Sequence, residues 1–201
     1  KNINLKEVAK KIIEGSLSYY IGCTSNKAVL VNEEVYDELK QELLTQIKLL
    51  KVDDPLKDDT DIGYSKDTEK VIKRLNEAKR FSTINIITDI KLKNKFQINE
   101  PILIEVFDKN SEFLKNEYPV PIIALFKYKE NFENSVNLVN ELSFIDSLSN
   151  KSLVVSVYSA KIKELMPLIK KINANHININ LPTSYQNLAL PHQSVYLSDV
   201  F

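Results

Sequence analysis

Few residues in this chain can do chemistry, and the first is its single cysteine. Cys23 stands in the run Tyr19-Tyr20-Ile21-Gly22-Cys23-Thr24-Ser25-Asn26-Lys27-Ala28-Val29-Leu30-Val31. Upstream, Leu5, Val8, Ala9, Ile12 and Ile13 recur at helical spacing, and 28–31 is an apolar run of strand length, so the thiol falls in a turn between two packed elements. A ligand can reach a turn, and a thiolate is a nucleophile. The competing reading is a small buried hydrophobe, since free cysteine is among the most buried residue types. His176 and His192 are the only histidines, too few with one thiol for a zinc set, and no metal is expected. Aspartates 53, 54, 58, 59 and 61 crowd the stretch from Val52 to Gly63. Their spacing lacks the central Gly and terminal Glu of a calcium loop, which leaves a solvated connection.

The elements that position the thiol come from a chain of 201 residues, 43% hydrophobic, enough for one substantial core. Lys+Arg and Asp+Glu balance at 27 each, so no global field attracts nucleic acid or an anionic membrane. No apolar run approaches the ~20 residues of a membrane span, and the N-terminus lacks signal-peptide regions. A soluble, cytoplasmic protein is expected, with no internal disulfide. Glycine is limited to 3 residues and arginine to Arg74 and Arg80, which leaves no material for a glycine-rich phosphate loop or an arginine clamp.

Helix and strand signals alternate throughout. A capping box at Asn4 and Glu7 starts a helix that should run to about Tyr19. Residues 28–32 form a strand, and 33–50 a helix on Val35, Leu39, Leu43, Ile47 and Leu50. After the acidic connection, 65–80 is helical and 83–88 and 102–106 are strands rich in β-branched residues. A short helix at 111–117 precedes a strand at 120–128, with Pro121 at its start where a missing N–H is tolerated. A helix at 131–142, a strand at 152–158, a helix at 160–172 and a strand at 176–180 follow, before a polar tail. Strands separated by helices predict an α/β fold: a three-layer α/β/α domain with a mostly parallel sheet covered on both faces.

The order of motifs resembles the catalytic domain of the aldehyde dehydrogenase superfamily from about Asn2 to Thr183. The family's Gly-Gln-x-Cys-x-Ala turn, apolar strand and Val-Tyr-Asp helix start are matched in spacing by Cys23, Val29-Leu30-Val31 and Val35-Tyr36-Asp37-Glu38. Asp54-Pro55-Leu56 through Thr60-Asp61-Ile62-Gly63 resembles its Gly-Asp-Pro-Leu segment. Glu117-Tyr118-Pro119-Val120-Pro121 resembles Glu-Ile-Phe-Gly-Pro, and His176-Ile177-Asn178 its terminal His-Ile-Asn strand. The expected division is a domain at 1–185 and a tail at 186–201.

The resemblance implies that Cys23 is the catalytic nucleophile, which adds to an aldehyde carbonyl. It implies that Glu117 is cofactor-binding and accepts hydrogen bonds from the nicotinamide ribose of NAD or NADP; the alternative for Glu117 is an exposed helix-end acid. In the family a Rossmann-type cofactor domain and a glutamate base precede the cysteine. The implied partner is therefore a cofactor-binding domain or partner chain, with self-association into a homo-oligomer. The chain departs from the family pattern at the cysteine turn, the cofactor segment and the C-terminal motif. Tyr20-Ile21 replaces Gly-Gln, Pro119-Val120 replaces Phe-Gly, and Pro191 to Asp199 replaces a glycine-rich segment. The region from Asn140 to Ser152 is longer than the family pattern. Lost glycines remove the positive φ and close ligand approach that such loops use. A non-catalytic relative acting as a binding or assembly module is the alternative this leaves open.

Overall fold

The computed structural model describes residues 3–17, 22–26, 28–65, 67–94, 97–129, 131–142 and 152–185. Its first helix, α1 (Leu5–Ser16), is capped as expected, with Asn4 Oδ1 accepting from the Glu7 N–H at 3.3 Å. It ends earlier than its apolar period suggests, because Leu17 leaves helical geometry at φ −124°; the remaining residues expected to be helical, 18–19, lie outside the described ones. The order continues β1 (Ala28–Asn32), α2 (Glu33–Ile47), α3 (Thr68–Arg80), β2 (Ile84–Ile86), β3 (Leu92–Asn94), β4 (Gln97–Ile98), β5 (Ile102–Val106), α4 (Glu112–Lys115), β6 (Ile122–Tyr128), α5 (Phe132–Leu142), β7 (Ser152–Val157), α6 (Ile162–Ile169) and β8 (Ala174–Ile179).

Four strands form the main sheet in the order β1-β6-β5-β2. β6 pairs parallel with both β1 and β5, and β2 closes the edge antiparallel to β5. Period-two alternation splits the core between the two faces. Leu103, Ile123, Leu125 and Val31 pack with α1 and α2, while Ile102, Ile104, Val106, Ile122 and Ala124 pack with α3 and α4. Helices therefore cover both faces, the three-layer arrangement the alternation predicts.

Two differences have physical causes. The last strands do not extend the main sheet: β7 and β8 pair parallel with each other and, with α5 and α6, bury a smaller third cluster around Val136, Val157, Ile169 and Ile172. The hairpin β3/β4 is absent from the sequence reading, since strands of 3 and 2 residues are too short to show a period. It is fixed from outside by Lys93, whose ammonium donates to Val52 O at 2.9 Å and pairs with Asp53 at 3.2 Å. The acidic connection is closed by a parallel bridge between Val52 and Ile62. Asp53 is its hub. Hydrogen bonds from Lys57, the Asp54 N–H and Lys93 hold its carboxyl far below the usual carboxylate range.

One polar cluster ties α2 to the sheet. The Glu105 carboxylate accepts from Lys40 at 2.9 Å, Tyr36 at 3.1 Å and Asn85 at 2.8 Å. Burial alone would raise the Glu105 pKa, but these donors outweigh it and hold it low. A carboxylate that binds its proton less tightly folded than unfolded adds stability above its unfolded value near 4.3, and that stability is lost as pH falls through the lowered folded value. Urea midpoints of wild type and Glu105→Gln measured from neutral to acid pH should therefore converge below about pH 4.

Candidate active site around Cys23

The chain between α1 and β1 is short, and hydrogen bonds within it shape its turn. Ser25 closes it twice: its N–H donates to Gly22 O at 3.0 Å, and its Oγ accepts from the Gly22 N–H at 3.0 Å. Cys23 is a central residue of this turn and is exposed. The reading of Cys23 as a buried hydrophobe is corrected here, because a turn pinned at both ends pushes its central side chains outward.

The turn is anchored to the helix before it. The Asn26 N–H donates to the Gly15 carbonyl at 2.8 Å, and that carbonyl also accepts from Thr183 Oγ1 at 3.0 Å. Gly15 has no spare room. A Cβ there would lie 2.6 Å from Thr183 Oγ1 and 2.9 Å from Thr183 N. The segment carrying Thr183 is itself held: Asn178 Nδ2 donates to Pro182 O at 2.8 Å and Tyr185 O at 3.2 Å, and the Asn180 side chain exchanges two hydrogen bonds with Ser159. Lys11 of α1 reaches Asn180 O at 2.7 Å. Gly15, Thr183 and Asn180 carry no role in the sequence reading, and Asn178 enters it only within the His176-Ile177-Asn178 motif. The one available signal was a glycine inside a helical pattern in a chain with only 3, which usually marks close packing.

Glu117 precedes β6 as Cys23 precedes β1, and the two strands run parallel with Ala28 opposite Ala124. Both segments therefore enter the main sheet from the same end. Along 117–120 the chain alternates exposed and buried residues. Tyr118 is the anchor: it stacks on Phe113 with ring centroids 5.2 Å apart, and its hydroxyl donates to Glu112 at 2.8 Å. Burial and the Glu112 carboxylate push that phenol up to about 12. With Tyr118 turned inward, Glu117 stands exposed. The start of α2, which follows β1, lies at the other end of the sheet.

A dinucleotide makes two demands on such a site. An exposed carboxylate suits ribose hydroxyls, and Glu117 offers one. A pyrophosphate needs helix N-terminal amides and a glycine-rich turn. Gly15 is pressed on Thr183, a Cβ at Gly63 would lie 3.0 Å from the Pro55 ring, and Gly22 is tied at both its N–H and its carbonyl to Ser25, so three dispersed glycines make no such turn. Among the described residues only the ribose demand has a candidate group.

Residues 1–198 match the aldehyde dehydrogenase family. This chain belongs to that family. Among its members, the α-ketoglutaric semialdehyde dehydrogenase of Bacillus subtilis is 26% identical over 196 residues, covering 94% of this chain and 38% of the relative. The 2,5-dioxopentanoate dehydrogenase of Saccharolobus solfataricus is 23% identical, covering 84% and 34%. Among solved structures, the NADP-dependent glyceraldehyde-3-phosphate dehydrogenase of Bacillus halodurans, complexed with NADP, superposes with a TM-score of 0.80 at 21% identity, covering 96% of this chain and 39% of that one. The enzyme GapN of Methanocaldococcus jannaschii, also a glyceraldehyde-3-phosphate dehydrogenase complexed with NADP, gives 0.78 at 20% identity, covering 96% and 40%. These likenesses establish the aldehyde dehydrogenase fold for a chain that spans 34% to 40% of the length of these four relatives. Among the described residues no helix is long and apolar enough to cross a membrane.

Proposed function

We propose that this aldehyde dehydrogenase chain carries the nucleophile of an NAD(P)-dependent aldehyde oxidation, with Cys23 as the attacking thiol and Glu117 as a ribose-binding carboxylate. The observation that supports it most is the exposed thiol in a turn fixed from both sides. The Cys23 thiolate adds to the carbonyl carbon and the π pair moves to oxygen, giving a thiohemiacetal on Sγ. The Gly22, Ser25 and Asn26 N–H groups are spent on holding the turn, so another donor has to meet that oxyanion. The cofactor, when bound, supplies the hydride acceptor. Loss of hydride from the former carbonyl carbon leaves a thioester on Cys23, and water cleaves it to release a carboxylic acid and regenerate the thiol.

Glu117 acts at a distance from that chemistry, holding two hydroxyls with one carboxylate. Glu117→Gln keeps the shape and loses the charge. Charge-assisted hydrogen bonds contribute about 1.5–3 kcal/mol, so the KM for cofactor is expected to rise roughly tenfold or more with little change in the rate of Cys23 alkylation. Steady-state kinetics of the protein carrying this chain, with cofactor varied, checks this.

Because the described residues provide no pyrophosphate site, the 201-residue chain by itself is expected neither to bind NAD or NADP tightly nor to turn over aldehydes. Purified chain incubated with either cofactor and a panel of short aldehydes should show no rise in reduced-cofactor absorbance. Turnover that disappears in Cys23→Ser would prove the site complete in this chain and overturn that expectation. The second reading, a non-catalytic relative, draws on Tyr20-Ile21 and the glycine-poor Pro191 to Asp199. It requires that the protein carrying this chain be inactive with cofactor and aldehyde under all such conditions.

A further inference from the structure

We propose that Thr183 is a positioning residue for Cys23, acting through the carbonyl of Gly15; the inference deepens the nucleophile reading and rests on it. Two donors share that carbonyl. The Asn26 N–H approaches at 2.8 Å from the thiol turn, and Thr183 Oγ1 at 3.0 Å from the segment after β8. Using both lone pairs of one oxygen leaves it a single orientation. Thr183 is only 4% exposed, so its hydroxyl has no water to exchange for this bond. It arrives on a frame that does not depend on the turn: Asn178 clamps Pro182 and Tyr185, and Asn180 is locked to Ser159. From the other side, the absence of a side chain at Gly15 lets the two backbones touch.

The segment after β8 thus reaches the thiol turn through two hydrogen bonds that share the Gly15 carbonyl. Thr183 sets the tilt of the Gly15 carbonyl, that carbonyl sets the height of Asn26, and Asn26 closes the segment in which Cys23 stands. Such a hold matters to a nucleophile because a displacement near 1 Å can cost about a hundredfold in rate.

Amide-resolved hydrogen exchange and iodoacetamide labelling of Cys23, on the 201-residue chain as wild type, Thr183→Val and Thr183→Ser, test this. In Thr183→Val the Asn26 amide is expected to exchange about fivefold faster or more, roughly the change for one lost hydrogen bond, while β5 and β6 amides keep their rates. Labelling of Cys23 should change by about threefold or more in the same variant, and Thr183→Ser should restore both values to within about twofold. Unchanged Asn26 exchange in Thr183→Val overturns the proposal. So does a serine variant as disturbed as the valine variant, since volume and not the hydroxyl would then matter. Fast exchange throughout β5 and β6 also counts against it, making Thr183 a general support of the fold. If Cys23→Ser retains turnover, the nucleophile reading fails while the exchange result stands, so the two failures are separable.

Discussion

Leu125→Ala is expected to lower the free energy of unfolding by about 2–5 kcal/mol, the range for truncating a fully buried leucine. Leu125 is 0% exposed on β6 and faces the core shared with α1 and α2. Its register partners are Val29 on β1 and Glu105 on β5. The cavity would therefore open between the strand that follows the thiol turn and the strand that carries the Lys40–Tyr36–Glu105 cluster, where neither neighbour can collapse freely. Against a typical total of roughly 5–15 kcal/mol, such a loss brings the chain close to unfolding. Leu56→Ala is the control. Leu56 is 90% exposed, and its truncation is expected to change stability by no more than about 0.5 kcal/mol. Urea denaturation of both variants, with equal slopes, measures the contrast.

The same strands show what a sequence can reveal. Periods of two and about 3.6 were strong wherever an element was long and one face was buried. The helix expected at 33–50 runs 33–47, the strand expected at 120–128 begins at 122, the helix expected at 131–142 begins at 132, and the β-branched strand expected at 102–106 keeps both bounds. Pro121 sits just ahead of its strand and spends its carbonyl on Ile102 N–H at 2.8 Å, as a residue lacking an N–H can. Where an element is short, or is fixed by distant partners, the pattern is silent. The β3/β4 hairpin owes its place to Lys93 and Asp53, residues 40 apart, and the separation of β7/β8 from the main sheet is decided by which cores the helices bury.

The site divides in the same way. Cys23 was visible as the only thiol, placed between two well-patterned elements, and Glu117 became a candidate through resemblance. Their arrival at one end of the sheet follows from the parallel pairing of β1 and β6, which neither residue's own neighbours encode. The support behind Cys23 was invisible, because Gly15 and Thr183 are 168 residues apart and meet through one hydrogen bond and one missing Cβ. Long-range contacts of that kind carry no period.

Cys23→Ser is expected to have the largest effect on activity. Serine keeps the size and the turn, whose hydrogen bonds come from Gly22, Ser25, Asn26 and Gly15. It removes the sulfur nucleophile, and an alcohol is a far weaker nucleophile unless a base activates it. Reduced-cofactor absorbance in the protein carrying this chain, with NAD or NADP and a short aldehyde, should fall at least about a thousandfold in kcat for Cys23→Ser, the order of loss seen when an enzyme's nucleophile is removed. Intact mass after iodoacetamide should show one added label in wild type and none in the variant. Turnover in Cys23→Ser equal to wild type would contradict the account and place the aldehyde chemistry on another residue.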